Sequence, residues 1–397
     1  MTAAHSQGTT PTSALIILPA LFGGGGRVAI ELCKALEKEK VEASIFLSLG
    51  SGELAAEAES REVKTHRFHR GNGAGAARAL LLLPVLVIRL LSRARRCDIL
   101  IGGGEAADHL LALLAGRLLR KPAVGIFQVT PSANIESYRG LGRRLLSLST
   151  RLALPRLDAT ISVAEAVRED AVALGARRER AFTIPNGVPI ARVQELSAAE
   201  KIVFAHTTIV GVGRLAYEKG FDTLLRAHAL ARQEVAHDLV LVGDGRERAS
   251  LEQLTAELGI TGSVTFAGYQ ANPYPWIAAA DLVCLPSRHE ASPLIVPEAL
   301  ALRRPVIATD CPGGTRESLA EGRFGRLVPC GDPEALAEAL ADHLRAPSEL
   351  EALAATAQVE IERDRDLPAT AARYAQVLRD VLRDRRGSPQ PEPEHER

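Results

Sequence analysis

The chain has 397 residues, 46% of them apolar and only 4% aromatic, with 48 basic against 48 acidic side chains. That length suits two domains of ~100–200 residues each, and the balanced charge excludes the basic surplus that a nucleic-acid partner requires. The five cysteines, Cys33, Cys97, Cys284, Cys311 and Cys330, are scattered without a C-x-x-C pair. They exclude a cysteine metal site or a disulfide framework and point to reduced thiols. Met1–Thr12 is polar, lacks Lys and Arg, and is not read as a signal peptide.

Short aliphatic runs then alternate with helical patterns. Leu15–Pro19 reads as a buried strand, followed by the glycine run Gly23–Gly26 as a loop and a helix over Val28–Lys38. Strands are expected at Ser44–Leu47, Cys97–Ile101, Ala123–Val129, Ala159–Val163 and Phe182–Ile184, with a helix around His109–Leu119. Such runs suit strands covered on both faces. The longest apolar run, Ala79–Ile88, contains Pro84 and is shorter than the ~20 residues that span a bilayer. With Arg78, Arg89, Arg93, Arg95 and Arg96 around it, segment 78–96 reads either as a buried helix or as an in-plane helix drawn to anionic lipid.

Pro185-Asn186-Gly187-Val188-Pro189 interrupts the rhythm and marks a domain boundary. Strands resume at Ile209–Val212, Leu239–Val242, Val264–Phe266, Leu282–Leu285, Val306–Ala308 and Arg326–Val328. The pattern predicts an N-terminal domain over 14–188, a C-terminal domain over 189–365, and a helix over 366–385 that returns to the first domain. Segments 1–13 and 386–397 are expected to be disordered. Alternation of strand and helix implies two doubly wound α/β sheets, which bind ligands beyond the carboxyl ends of their strands.

Two stretches there carry candidate chemistry. Gly211-Val212-Gly213-Arg214-Leu215-Ala216-Tyr217-Glu218-Lys219-Gly220 places two cations where strand passes into helix, suited to a diphosphate. A strand-to-helix turn with two solvated bases has the same pattern. Ser287-Arg288-His289-Glu290-Ala291-Ser292-Pro293-Leu294-Ile295-Val296-Pro297-Glu298 places Glu290 in a loop and Glu298 in an apolar helix, where a carboxylate needs hydroxyl or cationic partners. A capping Glu and an isolated buried Glu are the plainer reading. Pro293 suits the first turn of that helix, and the amides of Leu294, Ile295 and Val296 would face an anion at its start.

Taken together, G-R-L-x-x-x-K-G and the later S-x-x-E-x7-E-A-L-A resemble the retaining glycosyltransferases of sequence family four, which have the GT-B fold. Leu241–Gly245, Val264–Tyr269, Pro305–Asp310 with Gly313, Gly314 and Glu317, Ser162–Val167 and Ile184–Val188 resemble further segments of that family in order. The resemblance implies two Rossmann-like domains facing across a cleft. It implies that Arg214 and Lys219 bind the donor diphosphate, with Gly213 and Gly243 allowing close approach. Glu298 would bind ribose, and Glu290 the transferred sugar. Gly23, Gly24, Gly25 and Gly26 would bring amides toward diphosphate or acceptor. Where relatives carry a histidine near the sugar this chain has Gln128, which hydrogen-bonds but is no acid or base; His109 is the nearest alternative. Ala291-Ser292 replaces the family's Gly-Phe, and Arg27 follows the glycines.

The implied activity is transfer of a hexose or N-acetylhexosamine from a nucleotide diphosphate sugar. UDP is favoured and GDP-mannose is second. The implied acceptor is a saccharide or lipid-linked saccharide in surface glycan assembly. No cofactor or metal is expected, since no His/Asp cluster has metal-ligand spacing. The implied site is cytoplasmic, with a peripheral contact to an anionic inner membrane face. An epimerase or a glycoside phosphorylase on the same fold is the alternative, separated by its products. A nicotinamide dehydrogenase would need G-x-G-x-x-G after a strand, and Gly243-Asp244-Gly245-Arg246-Glu247-Arg248 lacks the third glycine. A non-catalytic binding subunit would not need the four charged residues.

Overall fold

Thirteen strands of parallel sheet organise the described residues, and their sequences alternate aliphatic side chains between two buried faces. The computed structural model describes residues 11–50, 52–68, 83–104 and 106–386. The sequence readings on 1–10, on 78–82 and on 387–397 fall outside these residues. Contacts divide the chain into two units. The first runs to Val163 and includes Val167–Ile184 and the chain from Thr370 on. The second holds Pro185–Ala369 with Ala164–Ala166.

In the first unit the strands are β1 Thr12–Leu18, β2 Val41–Leu47, β3 Thr65–Arg67, β4 Ile99–Gly102, β5 Ala123–Phe127, β6 Ala159–Ser162 and β7 Ala181–Thr183. Their order is β3-β2-β1-β4-β5-β6-β7, all parallel. The order reverses between β1 and β4, as in a doubly wound sheet. Thr12 and Ser13 belong to β1 rather than to a tail: Thr12 pairs with Val41, and the Asp98 carboxylate accepts from the Ser13 amide at 2.8 Å. The polar strand β3 gave no apolar signal, because as an edge strand it needs none.

Gly23–Gly26 is the first turn of the helix Gly23–Lys38 and not a separate loop. The apolar stripe of the helix, including Ile30, Cys33 and Leu36, is buried and overrides the poor intrinsic propensity of glycine. Gly26 is required there, since a Cβ would stand 2.9 Å from the Leu21 carbonyl carbon. The Gly23 amide donates to Glu53 Oε1 at 3.1 Å.

One face of this sheet is covered by three helices, Leu83–Ala94, Ala106–Leu119 and Gly140–Ala153, which share one apolar cluster. Leu86, Leu90 and Ala94 are buried in it, so the described part of segment 78–96 turns one side to the core. His109 is a core residue. Its Nε2 bonds the Ile126 carbonyl at 3.0 Å, its ring lies 4.3 Å from Phe127, and its Cα would be 2.6 Å from a Cβ on Gly102. The helix Leu367–Arg386 buries Ala371, Tyr374, Leu378 and Val381. It reaches other parts of the same unit through Arg385 with Asp158 at 3.1 Å and Arg180 with Asp384.

The second unit has β8 Thr208–Val212, β9 Asp238–Val242, β10 Val264–Gly268, β11 Leu282–Leu285, β12 Val306–Asp310 and β13 Arg326–Pro329. Their order is β10-β9-β8-β11-β12-β13, again parallel, with the switch between β8 and β11. Successive strand residues enter opposite cores. Ile209, Leu239, Cys284 and Ile307 join one cluster, while Val210, Val240, Val283 and Ala308 join the other. Burial on both sides is why these strands read as unbroken apolar runs. Beside the sheet, His228 and His237 share a hydrogen bond of 2.9 Å, and His228 Nε2 bonds Ser263 Oγ at 2.9 Å.

Burial pushes His109 down from the ordinary 6.5 to about 4. Burial, with His237 adding to it, pushes His228 to about 3. Both must be neutral in the folded state, whereas the unfolded chain takes up protons below 6.5. Stability is therefore complete above pH 6.5 and falls as pH drops toward 4. The melting temperature followed by circular dichroism should decline across that window. His109→Phe should flatten the decline, and an unchanged slope would exclude His109 as a source.

Candidate active site

The strand order reverses between β8 and β11, where doubly wound sheets bind ligands, and the loops beyond these strands meet largely through backbone contacts. After β8 the chain turns at Gly213, whose amide donates to the Val242 carbonyl at 3.0 Å. Gly243, at the end of β9, has a φ of +141°, and a Cβ on it would overlap the Gly213 carbonyl oxygen. The Leu215 amide donates to the Asp244 carbonyl at 2.9 Å. Two strand-end turns are thus in main-chain contact, and Arg214 projects from them with its side chain 71% exposed. Glu218 takes its guanidinium at 2.7 Å.

A short 3₁₀ turn, Tyr217–Lys219, ends at Gly220 with φ +64°. A Cβ there would overlap the Pro286 carbonyl oxygen, so only glycine lets this turn lie on the chain leaving β11. Lys219 consequently meets Glu290, with Nζ to Oε1 at 2.5 Å. Ser287 Oγ donates to the same oxygen at 2.8 Å. Glu290 is 9% exposed, and its own backbone is fixed from the far side. Its amide donates to the Pro312 carbonyl at 3.2 Å, and its carbonyl accepts from the Gly314 amide at 2.7 Å. A buried carboxylate is tolerable because it has a cation and a hydroxyl. Lys219 has three N–H bonds and directs one to Glu290, leaving donors for an incoming anion.

Arg288 ties the two loops together. Its guanidinium grips Asp222 with two bonds of 2.8 and 2.7 Å, donates to the Tyr217 carbonyl at 2.8 Å, and lies 4.4 Å over the Tyr217 ring. Its amide donates to the Glu218 carbonyl at 2.8 Å. Burial opposes ionisation of Asp222, yet the Arg288 guanidinium holds its carboxyl below the usual range. Glu298 lies half-buried on the helix Ile295–Ala301, where Tyr274 donates its hydroxyl to Oε1 at 3.0 Å. Leu294 caps that helix, Ile295 opens it, and Pro293 precedes the cap rather than standing in the first turn.

The structure therefore brings Lys219 and Glu290 into direct contact, and joins Arg214 to them through Glu218 and Arg288. Gly23–Gly26 and Gln128 belong to the first unit, at the start of a helix and one residue past β5. Sequence reasoning missed Asp222, Ser287, Glu218 and Tyr274 as partners. Asp222 carried a signal, standing two residues past Gly220 in the first turn of a helix, but nothing in one dimension pairs it with Arg288. Among the described residues there is no group of three or more His, Cys, Asp and Glu that could hold a metal ion.

Residues 206–346 match the family described as Glycosyl transferases group 1, and residues 22–192 the family described as Glycosyltransferase Family 4. The lipopolysaccharide core biosynthesis glycosyltransferase LpsE of Rhizobium meliloti is 28% identical over 323 residues, 80% of this chain and 84% of that protein. A GDP-mannose-dependent alpha-mannosyltransferase of Mycolicibacterium smegmatis is 33% identical over 244 residues, 59% of this chain and 62% of that one. Among solved structures, HepE of Anabaena in complex with UDP superposes with a TM-score of 0.78 at 22% identity, covering 93% of this chain and 100% of that one. The paired doubly wound sheets are those of the GT-B fold, and the chain belongs to the family 4, group 1 glycosyltransferases.

Proposed function

We propose that the chain transfers a hexose or N-acetylhexosamine, with retention, from a UDP-sugar to a saccharide or lipid-linked saccharide acceptor in surface glycan synthesis. The observation that carries this reading is the Lys219–Glu290 pair at the β8/β11 switch, with Arg214 held by Glu218 on the same loop as Lys219. Support for the base comes from HepE, solved with UDP and with UDP-glucose, and support for the pathway from LpsE. The mannosyltransferase relative favours GDP-mannose as the second reading.

In this reading the bond between the sugar's anomeric carbon and the diphosphate oxygen breaks first. The acceptor oxygen then enters on the face that the diphosphate leaves, and its proton passes to the departing phosphate oxygen. Negative charge grows on the departing group, and the preorganised cations Arg214 and Lys219 meet it. Glu290, fixed by Lys219 and Ser287, presents its second oxygen to sugar hydroxyls. Glu298 takes the ribose hydroxyls, with Leu294 and Ile295 amides at the near end of its helix. The glycines 23–26 and Gln128 are assigned to the acceptor or diphosphate side. Chemistry occurs in the cytoplasm, at the inner membrane face when the acceptor is lipid-linked.

Three measurements test the reading. In a thermal-shift panel of UDP, GDP and ADP, UDP should raise the melting temperature most; a ligand at a hundred times its Kd adds about 2.7 kcal/mol. Preference for GDP would move the donor to GDP-mannose. Lys219→Ala should lower kcat by ~100-fold or more. It should also destabilise the fold by about 3–5 kcal/mol by stranding Glu290, and adding Glu290→Gln should restore part of that loss. Near-normal turnover would remove Lys219 from the site. Activity should survive a chelator, and loss with chelator restored by magnesium would contradict charge stabilisation by the two side chains alone.

A further inference from the structure

The helix Gly140–Ala153 has two apolar sides. One is in the core, with Leu146, Thr150 and Ala153 buried. The other is a ridge of Leu141, Leu145, Leu148 and Leu152, which are 71, 58, 55 and 42% exposed. At roughly 100° per residue these four fall within about 60° of one another around the helix. Arg144 and Arg151, seven residues apart, border the ridge on one side. The neighbouring helix Ala106–Leu119 packs against this one in the same layer and turns Leu114 and Leu118 outward, 57 and 68% exposed.

Charge on this surface is one-sided. The whole chain balances 48 basic against 48 acidic residues, yet residues 137–157 contain five arginines and no acid. Leucines aligned along a surface helix and edged by arginine fit the boundary between lipid headgroups and acyl chains, and cations near an anionic leaflet add attraction. A second copy of the chain fits less well. A two-fold contact would set the ridge against itself and bring like-charged arginines together.

We propose that the helix Gly140–Ala153 is a docking face for an anionic bilayer, its leucines entering the headgroup boundary and its arginines binding lipid phosphates. This deepens the reading of a lipid-linked acceptor, and it assigns the membrane contact to this helix, in the same layer as the described part of segment 78–96.

The test is co-sedimentation of the full chain at low salt with vesicles of phosphatidylcholine, with or without phosphatidylglycerol. The chain should bind the anionic vesicles and leave the neutral ones. Leu145→Ser with Leu148→Ser should weaken binding by about tenfold or more, because an inserted leucine gains at least about 1.4 kcal/mol. Arg144→Gln with Arg151→Gln should weaken it and reduce its salt dependence. All of these chains should keep the melting temperature and the UDP-induced shift of the parent, since the positions are exposed and outside the proposed donor site. The proposal is overturned if the parent ignores anionic vesicles, or if both double variants bind as the parent does. It is equally overturned if sedimentation equilibrium shows a parent dimer that the leucine variant splits. Vesicle binding without a UDP shift would sink the donor reading alone, and a UDP shift without vesicle binding would sink the docking face alone.

Discussion

An ion pair between Lys219 and Glu290 is where the second unit's sequence, fold and chemistry meet. Neither side chain is suited to that enclosure alone: a lone carboxylate at 9% exposure would lack the partners that offset its loss of water. Together, at 2.5 Å and with Ser287, they are stable and leave unused hydrogen-bonding capacity on both groups. The pair in turn requires the loops after β8 and β11 to lie against each other, which is arranged by Gly220 on Pro286 and by Arg288 on Asp222 and Tyr217. Loss of any of these supports would reach the charged groups through their positions and not through their charge.

Much of the fold was legible because burial on both faces writes itself into sequence as short aliphatic runs. All six strands of the second unit stand where those runs are. What escaped followed other physics. β3 is polar because an edge strand needs little apolar surface. The glycine run reads as a loop, yet it is helical because the stripe from Ile30 to Leu36 has a core to enter. His109, weighed as a possible site residue, proved to be packing, since its ring fills the space beside Phe127.

The candidate site was legible to a different degree. Arg214, Lys219, Glu290 and Glu298 stood out as charges after strands or inside apolar runs, a one-dimensional signature of polar groups at a sheet edge. Their partners did not stand out. Asp222, Glu218 and Tyr274 are ordinary residues on ordinary helices and turns until folding sets them beside a charge. The departure at Ala291-Ser292, by contrast, could be seen from sequence, and Ala291 is buried beside Glu290.

That last point has a structural root. Gly213 with Gly243, Gly220 with Pro286, and Gly313 with Glu290 are all contacts in which one backbone touches another with no room for a Cβ between. The loops bearing Arg214, Lys219 and Glu290 are therefore braced like a masonry arch, stone on stone, with the Arg288 side chain as a tie between them. Ala291, whose carbonyl lies against Gly314, is one of those stones. In the proposed reading, the donor therefore meets charges whose positions were set when the chain folded.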